Sequence, residues 1–511
     1  MPCSMMSRTG YTQGSKVKYN FFANLMGRGG LGIIQLITIP ILLKFFTAEE
    51  YGLIGLYLSF LPAFFAVSMG LNAAYNRVST QWQAGAFRDQ DYHDLTFSLE
   101  FACWCCGIMI FFVFMLLSKS ISLFWLTSQN IPPSTIQYLV ILMAGGIVCQ
   151  VPMSLYLAGL NGLQIQVVPN ILLFSSFFLQ GFGGLILVNW ISASLEVYFT
   201  WLLVVNVIVL LAAKVIFGRC VGNTGPRKFR VKLLLDIAKM GLGAGGGVLL
   251  GVCLVHVDKV ILSGMLDLET YGIYTLAWFF ASSIYLLANP MFTAVYPRMS
   301  EFLASGDVSH LIGLYHNAHK FISCLIFPFA FTLMIFAGEV LYCWTGRTDI
   351  AADGAFFLSV LTAGCLLNAL GYAPYALQLA YGWSTLGFYL NAVSLPIYLP
   401  CVVIAAKFFG AAGAATSFAI LFLFLYPIGL GITHNKILKK EFRKVMLNDV
   451  MPVAIIAAVI VILVKLIYPV NTGRVEMIFW IGASILLSAT CSLFSISIVR
   501  QKCIAFLNSI L

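Results

Sequence analysis

Long apolar runs, each broken by a short polar stretch, follow one another along the whole chain. Runs of about 18 or more apolar residues read as transmembrane helices. The first seven fall at roughly 20–46, 52–78, 98–118, 135–159, 163–189, 196–217 and 238–264. The remainder fall at roughly 270–297, 317–338, 353–381, 386–406, 411–433, 449–468 and 475–499. The pattern predicts an all-α polytopic membrane protein of about fourteen transmembrane helices. No alternating, strand-like pattern competes with it.

The same polar punctuation repeats. "EEYGLIGLY" (49–57) follows the first apolar run, and "LETYGIYTL" (268–276) follows the seventh. Tyr51 and Gly52 match Tyr271 and Gly272 at an offset of 220 residues. Tyr75 and Arg77 in "AAYNR" match Tyr296 and Arg298 in "TAVYPR" at 221. Gly162 and Asn170 pair with Gly382 and Asn391. The first twelve helices are therefore expected to be two parallel six-helix repeats around a central cavity, with two more helices at the C-terminus. Six is an even number, so both copies enter the membrane from the same side, one of the symmetries of secondary transporters. The expected divisions are 1–233, 234–447 and 448–511. Many prolines within the runs, and the glycine-rich "GLGAGGGVLLG" (241–251), suit helices that bend or pack closely.

Composition agrees: 60% of the 511 residues are hydrophobic, 9% are charged, and the mean hydropathy is +0.94. A soluble domain needs a far more polar surface. No cleavable signal peptide is expected, since the first twenty residues are polar and basic. The net charge of +10 is one-sided. Arg8, Lys16, Lys18, Arg77, Arg88, Arg227, Lys228, Arg230, Lys436, Lys439 and Lys440 lie in one set of loops. The other set is mainly acidic, with Glu49, Glu50, Asp267, Glu269, Glu339 and Asp349. Positively charged loops stay cytoplasmic, which puts both termini inside. This distribution explains the basic excess without nucleic acid. Of the 13 cysteines, most sit in apolar spans and read as small hydrophobes, the Cys103, Cys105 and Cys106 cluster included. The outer loops are too short for an external enzyme domain.

Ionisable groups inside the spans are few, and a charge there normally faces a partner or a wet cavity. Asn24, Arg28 and Gln35 share one face of the first helix, and Ser68, Asn72 and Asn76 one face of the second. The seventh carries "VHVDKVIL" (255–262), with His256, Asp258 and Lys259. Either these charges satisfy one another and the inner surface, or helices one and seven line a cationic cavity suited to an anion such as a phosphate. Arg77 and Arg298 are placed at its entrance. His256, with Asp258, is the candidate for coupling transport to protons. His316 and His319, at an inner loop or helix start, are expected to be solvated.

Three stretches carry a resemblance to a family. They are "NFFANLMGRGGLGIIQLITIPILLKFFTAEEYGLIGLY" (20–57), "VDKVILSGMLDLETYGIYTLA" (257–277) and "FFGAAGAATSFAI" (408–420). The chain resembles the O-antigen and polysaccharide flippases of the multidrug/oligosaccharidyl-lipid/polysaccharide (MOP) exporter superfamily. That resemblance implies a protein of the bacterial inner membrane that moves an undecaprenyl-pyrophosphate-linked oligosaccharide from the cytoplasmic to the periplasmic leaflet. It implies alternating access driven by an ion gradient, H+ or Na+, with no cofactor and no catalysis. Arg28 would meet the pyrophosphate, Lys259 would lie on the outer part of the path, and Asn24, Gln35, Asn72 and Asn76 would bond sugar hydroxyls. Membrane lipid and other polysaccharide-assembly proteins are the implied partners. The alternatives are a cation-exporting drug antiporter of the same superfamily and a membrane-embedded polysaccharide polymerase. The first would want carboxylates in helices one and two, and the second a large polar loop; the sequence shows neither.

Overall fold

The computed structural model describes residues 32, 34–222, 226–469 and 472–494. Among them eleven helices are long and apolar enough to cross a membrane. We name the helices α1 (34–42), α2 (Ala48–Gln83), α3 (Asp89–Trp125), α4 (Pro133–Gly162), α5 (Val167–Trp190), α6 (Leu195–Val221) and α7 (Val231–Ser263). There follow α8 (Leu268–Ala304), α9 (Val308–Ile335) and the short α10 (Ala337–Thr345). After α11 (Thr348–Ala380), an apparently continuous helix runs over Thr385–Lys436.

At about 1.5 Å per residue that helix would be more than twice the thickness of a bilayer core. It reverses at Gly410, whose φ of 58° and ψ of −144° break the helix. The reversal is so tight that a Cβ on Gly413 would strike the carbonyl of Ala405. Residues 385–409 (α12) and 411–436 (α13) are thus separate spans, followed by α14 (Glu441–Ile467) and α15 (Arg474–Phe494). With that helix split in two and α2 added to the eleven, thirteen of the expected fourteen spans lie among the described residues, and the first part of the first expected span lies outside them. The chain forms two compact units, one up to Gly272 and one from Ile273.

The repeat is visible in the backbone. After α1, the amides of Lys44, Phe45 and Phe46 donate to the carbonyls of Ile41, Leu42 and Leu42. After α7, Gly264, Met265 and Leu266 donate to Ile261, Leu262 and Leu262, the same bonds 220 residues on. The ends of α2 and α8 repeat at 221: Ala84, Gly85 and Ala86 bond as Ser305, Gly306 and Asp307 do, with Gly85 and Gly306 both at φ 73°. Between α4 and α5, Leu163, Gln164 and Ile165 bond as Tyr381, Gly382 and Trp383 do between α11 and α12. That offset is 218, so Gly382 corresponds to Gln164 rather than to Gly162. Both Gln164 and Gly382 are left-handed, at φ 59° and 68°. A glutamine in a conformation that favours glycine hides this register from the sequence.

The acidic links have structural work. Thr47 and Glu50 cap α2 reciprocally, and Asp267 caps α8 by accepting from the Thr270 amide at 2.9 Å. Glu49 is buried and reaches across to the loop after α3, accepting from the Ser128 hydroxyl and the Gln129 amide at 2.7 Å each. The same loop binds the other link, where the Leu268 amide donates to Thr127. Between them, the starts of α2 and α8 meet at Gly52 and Gly272. A Cβ on Gly52 would strike the Leu268 carbonyl, and a Cβ on Gly272 the Ala48 carbonyl, while Tyr51 and Tyr271 are buried beside them. Residues 48 and 268 are equivalent in the repeat, so the contact is reciprocal.

The terminal helices pack on the second unit. Ser484, Ser488 and Ser492 form a buried seam on α15. There the Thr332 and Ser484 hydroxyls bond at 3.0 Å, and Cys324 donates to the Ser492 carbonyl. Small residues of this kind let membrane helices approach closely. Lys465 of α14 pairs with Glu339 of α10, and Arg474 donates to the carbonyl of Cys343.

The Gly272→Ala variant is expected to lose about 1–3 kcal/mol through overpacking, lowering the melting temperature of the purified protein. Gly313→Ala, in a helical site with open space around it, should leave the melting temperature unchanged.

Candidate functional site

Polar groups within the first unit gather in three places. The first is a small cavity bordered by α1, α2 and α5, about 40 Å3 in volume and lined in part by Gln35, Thr38, Tyr57 and Gln180. That is room for a water or two, not for a sugar. Behind it runs a chain of amides. Gln150 of α4 donates to the Asn206 carbonyl oxygen at 2.8 Å, Gln180 of α5 donates to the same oxygen at 3.3 Å, and Asn206 of α6 donates to the Tyr57 hydroxyl at 3.2 Å. Gln180 sits in the π turn Leu179–Gly183, an irregularity often found at functional sites. Three helices thus meet at the side chain of Asn206. The sequence reading missed these residues because they lie in separate apolar runs, far apart in the chain. The available signal was Asn206 itself, the single amide in α6, because an amide in hydrocarbon needs a partner.

The second place is the stripe on α2. Asn72 donates to the Ser68 hydroxyl at 3.3 Å, and Ser154 of α4 donates to the same oxygen at 3.4 Å. Asn76 is half-buried, and its backbone carbonyl packs against Gly162. The predicted face is therefore present, with Ser68 and Asn72 on a shared hydrogen-bonded run.

The third lies on α7. Asp258 and Lys259 are both fully buried, and their side chains form an ion pair at 3.0 Å. The Lys259 ammonium also donates to the Val255 carbonyl at 2.7 Å. The Asp258 carboxylate faces the buried Tyr271. His256 is half-buried on the same helix. In this conformation the two charges neutralise one another. Arg77 and Arg298 are exposed, Arg298 standing 3.6 Å from Glu301. Asn24 and Arg28 lie outside the described residues.

The basic linker is more tightly held than a solvated run would be. Arg230 pairs at 2.8 Å with both Asp91 and the fully buried Asp94 of α3, and the Lys228 amide donates to Asp94 at 2.9 Å.

In the second unit, His319 is fully buried and His316 is held between carboxylates, so the expectation that both are solvated is overturned. The inner part of α9 is covered by α13 and α14, a packing that residue spacing alone does not reveal.

Comparison with known proteins gives this geometry its context. Residues 17–303, more than half of the chain, match the family model described as polysaccharide biosynthesis protein. The chain belongs to the polysaccharide biosynthesis protein family. No curated protein matches it in sequence. Among solved structures, the lipid II flippase MurJ in an inward closed conformation superposes with a TM-score of 0.75 at 14% identity, over 94% of this chain and 99% of that one. An inward-facing multidrug resistance MATE family transporter of the MOP superfamily gives 0.61 at 14% identity, over 79% and 94%. A variant of the Vibrio cholerae MATE transporter VcmN gives 0.56 at 14% identity, over 84% and 98%. The fold seen here is thus the one shared by these flippase and MATE structures, in a multi-pass membrane protein.

Replacing Asp258 by Asn leaves the buried Lys259 charge without its counter-ion, which costs about 3–5 kcal/mol in buried pairs. The expected outcome is a marked fall in folded yield and melting temperature. The double variant Asp258→Asn/Lys259→Met should recover most of that loss.

Proposed function

We propose that this protein is a flippase that carries an undecaprenyl-pyrophosphate-linked oligosaccharide from the cytoplasmic to the periplasmic leaflet of the bacterial inner membrane. The observation that carries this reading is the family match over residues 17–303, joined to a flippase-like fold along almost the whole chain. The intramembrane chemistry supports it. Among the described residues α1 has no carboxylate, and α2 has none beyond Glu49 and Glu50 in its first turn. A cation exporter of MATE type would call for the opposite. A pyrophosphate head is served by Arg28 and Lys259, and the amides of Asn24, Gln35, Asn72 and Asn76 suit sugar hydroxyls. In the loaded state the pyrophosphate replaces Asp258 as the partner of Lys259. Arg77 and Arg298 are the cations at the cytoplasmic entrance. The lipid tail stays in the bilayer while the two halves exchange access, as parallel-repeat transporters do. Both termini face the cytoplasm on this reading.

The test uses cells lacking the protein, complemented with wild type or Arg28→Ala. Lipid-linked repeat units are sorted by leaflet with an impermeant sugar-modifying reagent. Units should accumulate on the cytoplasmic leaflet, relieved by wild type and not by Arg28→Ala. Normal crossing without the protein would sink the flippase reading and leave drug export as the alternative.

A further inference from the structure

Three imidazoles surround the ring of Tyr315 in the second unit. The ring centroids of His319, His434 and His316 lie 4.7, 5.6 and 6.2 Å from it. Their hydrogen-bond partners differ. His434 places Nδ1 2.9 Å from the Leu430 carbonyl, which only accepts, so that nitrogen carries the hydrogen. Its Nε2 lies 3.1 Å from the Tyr315 hydroxyl, which donates to it when the ring is neutral. His316 faces the Asp449 carboxylate with Nδ1 and the Glu441 carboxylate, at 3.1 Å, with Nε2. Carboxylates facing both nitrogens favour the imidazolium form of His316.

His319 differs from both. It is fully buried, and neither ring nitrogen has a hydrogen-bond partner. The hydroxyls of Ser323 and Tyr426 are also buried without partners. Leaving such groups unmet costs free energy in any fold, and the cost is greatest inside a membrane. A neutral imidazole without partners keeps a lone pair open to a proton. His316 supplies the way in: its side chain is 18% exposed, and it stands one helical turn from His319 on α9.

We propose that His316, His319 and His434 around Tyr315 form a proton-binding site within the second unit, and that the proton taken there drives transport. The proposal rests on the flippase reading for the second half of that statement only. The step is a bare proton transfer. A proton passes from water at the His316 edge to the imidazole lone pair of His319, an N–H bond forms, and it breaks again when access changes. No redox partner takes part. Nitrogen donors suit a proton, whereas a hard cation such as Na+ takes oxygen ligands.

The charges around the site are few and known. On α9 itself Lys320 pairs with Asp449 at 3.3 Å. From α13 come His434 and Tyr426, and from the start of α14 come Asp449, Glu441 and Lys444, the last paired with Glu441 at 2.9 Å. No hydrogen bond or ion pair links α8, α11 or α15 to His316, His319 or Lys320 among the described residues. The residues that open the terminal helix pair, Glu441 and Asp449, are therefore the counter-ions of this site.

Two measurements on the full chain test the idea. The first is a histidine 15N NMR titration of purified protein in detergent between about pH 5 and pH 8. It should show a buried imidazole taking up a proton, with that signal lost in His319→Gln. Tyr315→Phe keeps the ring, loses the hydroxyl bond to His434, and should move the midpoint. Retention of the titration in a folded His319→Gln protein, or its absence in wild type, would overturn the site. The second is the leaflet assay with nigericin, which collapses the pH gradient and spares the potential. For one proton per substrate, the outer-to-inner ratio of lipid-linked units should fall about tenfold for each pH unit of gradient removed. His319→Gln should show a low ratio that nigericin does not change. A nigericin response surviving in His319→Gln, or missing in wild type, would overturn the coupling. If wild type moves no lipid-linked units at all, the flippase reading fails, while the titration still decides whether the proton site exists.

Discussion

Two helix starts meeting backbone to backbone hold this fold in register. At Gly52 and Gly272 the absence of a side chain lets α2 and α8 approach until each glycine faces a carbonyl of the other helix. In lipid no hydrophobic effect drives helices together, so close packing and satisfied polar groups must do so. The rest of that edge serves this contact. Thr47, Glu50 and Asp267 start the helices at the right residues, and Glu49 with Thr127 ties the loop after α3 across both starts. The acids that punctuate the sequence are consequently joints rather than ligands.

Elsewhere a second constraint governs: every polar atom within the apolar layer needs a partner. The first unit meets most of it with neutral groups converging on Asn206 and with the closed pair of Asp258 and Lys259, while Gln150 Oε1 and His93 Nε2 stay buried without partners. The second unit obeys it at its seams, where the serines of α15 meet α9. Around Tyr315 it is left unfulfilled. A protein that sets two carboxylates against one imidazole, and leaves the neighbouring imidazole unmet, has set apart a place for charge to change.

Much of this was legible from residue order. Helix count, the twofold repeat and the polar face of α2 follow from periodicity, because a span must be long and apolar and a repeat must restate its turns. Three things were not legible. The Gln164–Gly382 equivalence was hidden by a glutamine in a left-handed conformation, so identity pointed to Gly162 instead. The Asn206 network joins amides 26 and 56 residues apart, and no local spacing announces it. His319 sits near a polar helix start, which reads as solvated until α13 and α14 are folded over it. Local pattern reports which helices exist; what covers them is decided by contacts distant in sequence.

The reversal at Gly410 has a further consequence. The chain turns there with almost no polar loop, and Phe408 and Phe409 stand 73% exposed beside the bend. Exposed phenylalanine rings favour hydrocarbon over water, so these two rings tie the bend between α12 and α13 to the edge of the apolar layer. A thinner or thicker membrane shifts that level while the bend itself cannot lengthen. Acyl-chain length thereby becomes a force on this helix pair, and the lipid composition of the host membrane enters the energy of every conformation the protein visits.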